Sequence, residues 1–233
     1  MCNASLSEGV LPLTLKQAIV KPRLKKPTLN PDDVNSYRPI SNLSFISKVV
    51  ERVVAARLSA NFESQLRSVV KSPSSYRANH STETAITAVY DEIVRAVDSG
   101  DMCALVLLDL SSAFDTVDHE TLLTVLRRRF GISGVALDWC RDYLSDRTQT
   151  FQAGPQLSGP HNVQCSVPHG SVLGPKKLIA YTEDLANVIS QRQLSHHLYA
   201  DDTQLLKRVC LTDIPVVIDR LQRCSRPGDP RLV

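Results

Sequence analysis

The feature that most constrains the fold is an uninterrupted apolar run that ends in a carboxylate, CALVLLDL at residues 103–110. Apolar runs of this length without polar alternation are typical of strands that are buried on both faces. We therefore expect a sheet covered by helices, with Asp109 at the end of a buried strand. A carboxylate in that position needs a partner, because an isolated buried charge is strongly destabilising.

Helical and strand-like patterns alternate around this run. Ser81 and Asp118 stand where helix N-caps are expected, and Gly100 and Gly131 stand where the helices should stop. Strand-like hairpins are predicted within 148–167 and 194–209. This order of elements predicts an α+β fold with a sheet backed by helices. The predicted helical stripes are Ile46, Val49, Val50, Val53, Val54, Leu58 and Phe62; Ala85, Val89, Ile93 and Val97; Leu122, Leu123, Leu126 and Phe130; and, after Pro175, Leu178, Tyr181, Leu185 and Ile189.

A second acidic feature is the pair Asp201 and Asp202 in LYADDTQLL, residues 198–206. Adjacent carboxylates repel, yet the pattern places them at the turn of a hairpin. If that hairpin neighbours the strand of Asp109, three carboxylates converge, and divalent cations would neutralise them. Two Mg²⁺ ions about 4 Å apart promote phosphoryl transfer. Adjacent aspartates are also common in ordinary turns, so the pair alone leaves a structural role open.

The charge is divided unevenly along the chain. Residues 1–80 carry 12 Lys and Arg against 5 Asp and Glu, and residues 81–233 carry 15 against 19. A basic first third suits a polyanionic partner, and an acidic remainder suits bound cations. A solvated surface of uneven charge is the alternative.

Several classes of protein are disfavoured by what the sequence lacks. The chain has no apolar run of about eighteen residues, so we expect no membrane partner. The first residues do not have the pattern of a secretory signal. The 6 cysteines are scattered without a CxxC pair, which favours reduced thiols in an intracellular protein, nuclear or cytoplasmic and not secreted.

Four stretches carry a resemblance to a known family. YRPISNLSFISKVVE, LVLLDLSSAFDTVDHETLL, VPHGSVLGP and LYADDTQLL resemble, in order, successive blocks of the reverse transcriptases of non-LTR (LINE-type) retrotransposons. The resemblance covers roughly residues 15–210. It implies the fingers–palm part of a right-hand polymerase, with an antiparallel palm sheet backed by helices. Residues 1–100 would be fingers-like, basic and largely helical, 101–210 palm-like with the carboxylate metal site, and 211–233 a truncated tail.

The resemblance implies a catalytic role for the three aspartates. Asp109 matches the first catalytic aspartate of the family, and Asp201 and Asp202 match the pair in the palm hairpin. Together they would bind two Mg²⁺ ions, for which Mn²⁺ is a possible substitute. The reaction would be attack of the 3′-hydroxyl of a DNA primer on the α-phosphate of a dNTP, directed by an RNA template.

The resemblance also implies substrate contacts. Phe114 matches the aromatic gate that excludes a ribose 2′-hydroxyl, with an ordinary core ring as the alternative. Tyr199 would support the hairpin near the primer end. Gly170 would permit a close approach to template or nucleotide, and His169 stands where the family usually has glutamine. Arg38 and Lys21 would meet the triphosphate from the fingers, with a plain surface role as the alternative.

The chain also departs from the family's pattern. Lys176 and Lys177 stand where large apolar residues are typical, and buried ammonium groups there would be destabilising. No thumb or primer-grip pattern is recognisable after Asp202, and no endonuclease pattern precedes the first block, so we expect a fragment with a missing thumb and low or no activity. The alternative function is an inactive retroelement remnant that only binds nucleic acid.

Overall fold

A computed structural model describes residues 1–69, 81–109, 114–168, 170–191, 194–199, 202–210, 213–215 and 218. The chain divides into two compact units, each built from separate segments: 1–65 with 114–181, and 66–113 with 182–233. The helix and the strand on either side of residue 100 belong to the same unit, so the compact units do not follow the predicted ranges 1–100, 101–210 and 211–233. The assignment of those ranges to fingers, palm and tail stays a prediction.

The first unit combines a mixed sheet with helices. Its elements are α1 (Cys2–Glu8), β1 (Gln17–Leu24), β2 (Tyr37–Leu43), α2 (Phe45–Val69), α4 (His119–Arg128), α5 (Val135–Leu144), β4 (Arg147–Ala153), β5 (Gln156–Leu157), β6 (His161–Val163) and α6 (Gly174–Tyr181). The strand order is β2-β1-β4-β5, with β6 also paired to β4. Strand β1 runs antiparallel to β2 and parallel to β4. Strands β1 and β2 form an antiparallel ribbon, and β4 with β6 confirms the hairpin predicted within 148–167.

The core of the first unit lies around α4 and α5. All four residues of the α4 stripe are buried, as predicted. Trp139 and Tyr143 on α5 stack with ring centroids 5.3 Å apart, and the Trp139 indole N–H donates to the hydroxyl of Ser5 in α1. These large rings fix α1 and the end of α4 around α5.

The buried face of α2 differs from the predicted stripe. Its buried residues are Ser47, Val50, Glu51, Val54 and Ala55, which follow the helical period more closely than the predicted set does. Ile46 is instead exposed. The predicted Val50 and Val54 are buried, Val49, Val53 and Leu58 are half-buried, and the side chain of Phe62 lies outside the described residues. The prediction missed Ser47 and Glu51 because it considered apolar residues only.

The described part of the second unit has a three-stranded antiparallel sheet and the helices α3 (Thr82–Asp98) and α7 (Glu183–Gln191). Its strands are β3 (Met102–Asp109), β7 (Ser195–Tyr199) and β8 (Asp202–Val209), in the order β3-β8-β7. Ile189 of α7 packs with Leu194, Leu205 and Val209, and Val106 of β3 borders this cluster. The predicted antiparallel sheet backed by helices is therefore present in this unit.

Two predicted features of this unit are wrong. Strand β3 is not buried on both faces, because Leu105 is 41% and Leu107 68% exposed; an apolar run alone does not reveal which of its faces will be covered. The single helix predicted after Pro175 is two helices, α6 and α7, separated at Thr182. Threonine is favoured before a helix, and the Thr182 carbonyl accepts from the Leu185 N–H in the first turn of α7.

The predicted helix starts are confirmed by their hydrogen bonds. Ser81 and Thr84 form a reciprocal capping box at the start of α3. Asp118 Oδ1 accepts from the Thr121 N–H at 2.7 Å at the start of α4. Hydrogen bonds from the side chain and backbone of Thr121 hold the pKa of Asp118 below its usual value.

We predict that Asp118→Ala lowers the free energy of unfolding by about 1 kcal/mol, because α4 loses its N-terminal acceptor. Asp118→Asn, which keeps an acceptor oxygen, is the matched control and should change the value by only a few tenths of that amount. Urea unfolding followed by circular dichroism measures both. Equal stability of the alanine variant and the unsubstituted chain would contradict the capping role.

Candidate active site

The aspartates at the strand ends are brought together by the pairing of β3 with β8. These strands are antiparallel over eight residue pairs, from Met102↔Val209 to Asp109↔Asp202. Directly paired positions in such a ladder lie about 4.5–5.5 Å apart and share one face of the sheet. The structure therefore places position 109 opposite position 202, which meets the condition that the sequence set for a shared cation site.

Strands β7 and β8 form the predicted hairpin. Their last pair is Tyr199↔Asp202, which leaves residues 200–201 as the connection. Asp201 and His169 lie outside the described residues, as do the side chains of Asp109 and Tyr199. Within the described part of the chain, no group of three or more metal-ligating side chains occurs. The assignment of Asp109, Asp201 and Asp202 as metal ligands stays a prediction.

Contacts with α3 and an ion pair hold the sheet in place. His197 Nε2 of β7 lies 3.2 Å from the Glu92 carboxylate of α3. Arg208 of β8 pairs with Asp101, which directly precedes β3. The other histidine of β7, His196, has a pKa lowered by burial.

Phe114 belongs to a turn that is bonded to the loop before α6, in the first unit. Its carbonyl accepts from the Val167 N–H at 2.8 Å, and the Val117 carbonyl accepts from the Ser166 N–H at 3.1 Å. The Phe114 side chain is half-buried. The turn and the loop are therefore joined through their backbones, although 48 or more residues separate them in sequence.

Gly170 lies in the same loop and approaches strand β2. Its φ of +79° lies in the left-handed region, and a Cβ at this position would stand 3.2 Å from the Ser41 carbonyl oxygen. Both facts favour glycine. In the described structure, a side chain at position 170 would be too close to the backbone of β2. A contact of Gly170 with template or nucleotide stays a prediction.

The β1–β2 ribbon gathers basic side chains on one of its faces. Arg23 is the direct partner of Arg38, and Lys21 lies two residues before Arg23 on the same strand. Cross-strand partners and alternate residues share a face, so all three side chains lie on one side, and all three are exposed. Directly opposed like charges are destabilising unless an anion lies between them. The sequence prediction included Lys21 and Arg38 and missed Arg23, although its spacing from Lys21 was visible.

The opposite face of the ribbon is apolar. Pro22, Tyr37, Pro39, Phe151 and Leu157 are among the residues lining a groove of about 590 Å³. The two faces therefore differ in chemistry, and only the face of Arg38 suits a polyanion.

Lys177 of α6, which stands where large apolar residues are typical of the family, is buried. It is 2% exposed, and its Nζ lies 3.7 Å from the centroid of the Tyr143 ring. The guanidinium of Arg147, equally buried, lies 4.1 Å from the same centroid. Burial lowers the pKa of Lys177 to about 8 and raises the pKa of Tyr143. Tyr143 therefore supplies a cation–π partner for a charge that would otherwise be strongly destabilising.

Two further side chains bond to the loop that contains Gly170, and the sequence analysis assigned neither of them a role. Glu51 of α2 accepts from the N–H groups of Val172 and Leu173, and His119 of α4 donates to the Ser166 carbonyl. The signal for Glu51 was its position on the buried stripe of α2. For His119 no signal was available, because its partner is a backbone group.

The second unit thus has an antiparallel sheet with opposed aspartate positions, and the first unit has a basic ribbon and a glycine loop. The family described as reverse transcriptase (RNA-dependent DNA polymerase) matches residues 24–226, and the chain belongs to this family. The relatives that the chain resembles confirm the prediction that it is a LINE-type reverse transcriptase domain.

Relatives in Drosophila melanogaster are similar over most of this chain. A probable RNA-directed DNA polymerase from transposon BS is 31% identical, over 88% of this chain and 23% of its own length. The corresponding protein from transposon X-element is 33% identical, over 78% of this chain and 20% of its own length. The RNA-directed DNA polymerase from mobile element jockey is 27% identical, over 88% and 23%. The chain thus spans about a quarter of the length of these curated relatives.

Solved telomerase structures share the fold. Apo telomerase from Candida tropicalis superposes with a TM-score of 0.62 at 10% identity, covering 89% of this chain and 42% of that chain. Telomerase from Candida albicans, in complex with a fragment of telomeric RNA, gives 0.59 at 14% identity, covering 94% and 42%. Across the described residues, no helix has the length and apolar character needed to cross a membrane.

We predict that Lys177→Met raises the free energy of unfolding at pH 7 and changes its pH dependence. Between the folded pKa of about 8 and the unfolded value of 10.5, the unfolded chain binds a proton that the folded chain does not. The stability of the unsubstituted chain therefore rises with pH in this window, by on the order of 3 kcal/mol. Below it, the destabilising effect of the buried charge is fully present.

The measurement is urea unfolding at several pH values between 7 and 10.5, with Lys176→Met as the neighbouring control. The Lys177→Met variant should lose the rise, and the control should keep it. An unchanged slope in Lys177→Met would contradict the burial of this charge.

Proposed function

We propose that this chain is the polymerising core of a retrotransposon reverse transcriptase, which transfers nucleotides from dNTP to a primer 3′-hydroxyl on an RNA template. The observation that supports this most directly is the pairing of position 109 with position 202 across β3 and β8. It fits divalent cations, because hard cations prefer carboxylate oxygen and carboxylates need charge compensation at such short separation. Membership of the reverse transcriptase family supports this reaction type.

Each motif residue has a separate proposed role in metal binding or substrate binding. Asp109, Asp201 and Asp202 would hold two Mg²⁺ ions, which lower the pKa of the attacking hydroxyl and stabilise the leaving oxygen when bound. Phe114 would exclude nucleotides with a 2′-hydroxyl, and Tyr199 would support the primer end. These roles follow the family's motif and the strand register.

The basic face of the ribbon would hold phosphate groups. Arg38 and Arg23 are suited to bidentate contacts with phosphate oxygens, and Lys21 adds a point charge beside them. Gly170 and His169 would lie near template or nucleotide on the neighbouring loop. Binding of a phosphoanion would relieve the repulsion between the directly opposed Arg23 and Arg38.

We predict that the purified chain incorporates dNTP on an RNA template with a DNA primer and Mg²⁺, or with Mn²⁺ in its place, at the low rate that its departures from the family's pattern indicate. Asp109→Ala and Asp201→Asn should lower the rate by about a hundredfold or more, since metal-held charge contributes several kcal/mol to such reactions. Glu120→Gln, an exposed carboxylate of α4, is the control. Incorporation that is unaffected by Asp201→Asn would contradict the assigned role.

The second candidate function is binding of nucleic acid without polymerisation, and the exposed basic face of the ribbon favours it. We predict salt-sensitive binding to RNA or DNA through this face. Arg23→Ala and Arg38→Ala should each reduce the slope of log affinity against log salt by roughly 1. The control is Arg95→Ala, an exposed arginine of α3 that is paired with Asp91 at 2.9 Å. Binding without salt dependence, or equal slopes in all variants, would contradict this assignment.

A further inference from the structure

The described residues of the loop 166–173 include two unusual backbone conformations. Ser166 has a φ of +102°, a left-handed value that a residue with a side chain rarely adopts, and Gly170 has a φ of +79°. Two left-handed positions within five residues give a sharply turned path, and such conformations persist only where the surroundings fix them. One local bond, from the Ser171 N–H to the Pro168 carbonyl at 3.1 Å, lies within the loop. Further bonds at both ends of the loop come from two helices far from it in sequence.

His119 holds the first end of the loop. Its Nε2 donates to the Ser166 carbonyl oxygen at 2.8 Å, while the Ser166 N–H donates to the Val117 carbonyl at 3.1 Å. Both backbone groups of the left-handed residue are therefore bonded to the segment at the start of α4. A histidine bonded in this way fixes the peptide that follows Ser166.

Glu51 holds the other end. Its Oε2 accepts from the Val172 N–H at 2.6 Å and from the Leu173 N–H at 3.2 Å, and its side chain is fully buried. Ser47, one turn earlier on α2, places its hydroxyl 3.4 Å from Oε1. Bonds between a carboxylate and N–H groups are stronger than those between neutral groups.

The choice of glutamate at this position is informative. Residue 51 lies on the apolar stripe of α2, between Val50 and Val54, where an aliphatic side chain would pack without the desolvation of a charge. A buried carboxylate is favourable here only because its oxygens are bonded. Its specific effect is to fix the N–H groups that lead into α6, three residues after the point where Gly170 approaches the Ser41 carbonyl of β2.

We propose that Glu51 and His119 are positioning residues, which hold the loop of Gly170 against strand β2 in the geometry that the reaction requires. This proposal rests on the proposed polymerase function, because the loop and β2 carry the residues assigned to template, nucleotide and phosphate. Neither side chain needs to touch substrate. Each acts through a backbone group of the loop, and together they act on both sides of Gly170.

The first test measures the loop directly, by amide hydrogen exchange of the full chain. In Glu51→Ala, the amides of Val172 and Leu173 should exchange about tenfold faster or more, because each loses a charge-assisted bond. Glu51→Gln keeps an acceptor oxygen and should give an intermediate rate, and it also serves if the alanine variant fails to fold. Glu120→Ala, beside His119 on an exposed position, should leave both rates unchanged. Unchanged exchange of both amides in a folded Glu51 variant would overturn the proposal.

The second test separates positioning from a general loss of structure. In Glu51→Ala and His119→Ala, KM for dNTP should rise severalfold in the fraction that remains folded, and Glu51→Gln should recover part of the loss. A purely structural role would reduce the active fraction and leave KM unchanged, and that result would overturn the proposal. If the unsubstituted chain incorporates no nucleotide, the polymerase function fails, and the exchange rates still decide whether Glu51 holds the loop.

Discussion

The antiparallel pairing of β3 with β8 is the interaction on which the second unit and the candidate metal site depend. It joins the end of β3 to the start of β8, the second strand of the hairpin, which lies more than ninety residues later in the chain. Side chains on one face of this pair, such as Val106 and Leu205, pack against α7. The same register that buries these apolar groups places positions 109 and 202 opposite each other. A shift by one residue would send the apolar side chains to the wrong face and separate the two aspartate positions.

The first unit contains an irregular loop that is bonded to side chains of its helices. The unit also buries polar groups. Glu51 of α2 is bonded to the loop, and Lys177 and Arg147 lie against the ring of Tyr143. Each of these groups would be unfavourable alone. Burial lowers the pKa of Lys177, and the nearby negative charge of Glu51 opposes that effect in part. The departure from an apolar residue at position 177 is therefore accommodated by its surroundings, although we expect it to lower stability.

Local signals in the sequence predicted the local structure well. Ser81 and Asp118 start their helices as expected, since an N-cap depends on groups within three residues. No local pattern in the sequence shows that the two aspartate-bearing strands are neighbours. That expectation came from the resemblance of the ordered blocks to the family. The exposure of Leu105 and Leu107 was missed because an apolar run does not show which of its faces will be covered. Glu51 and His119 were missed because their partners, backbone groups of the loop of residues 166–173, are distant in sequence.

The most direct test of the central claim is paramagnetic broadening of backbone amide signals by Mn²⁺ added at low concentration to the full chain. A shared cation site predicts that the amides next to residues 109 and 202 broaden together, and that Asp109→Asn removes the broadening on both strands. Broadening confined to one strand, or unaltered by the substitution, would contradict a metal site formed by the pairing of β3 and β8.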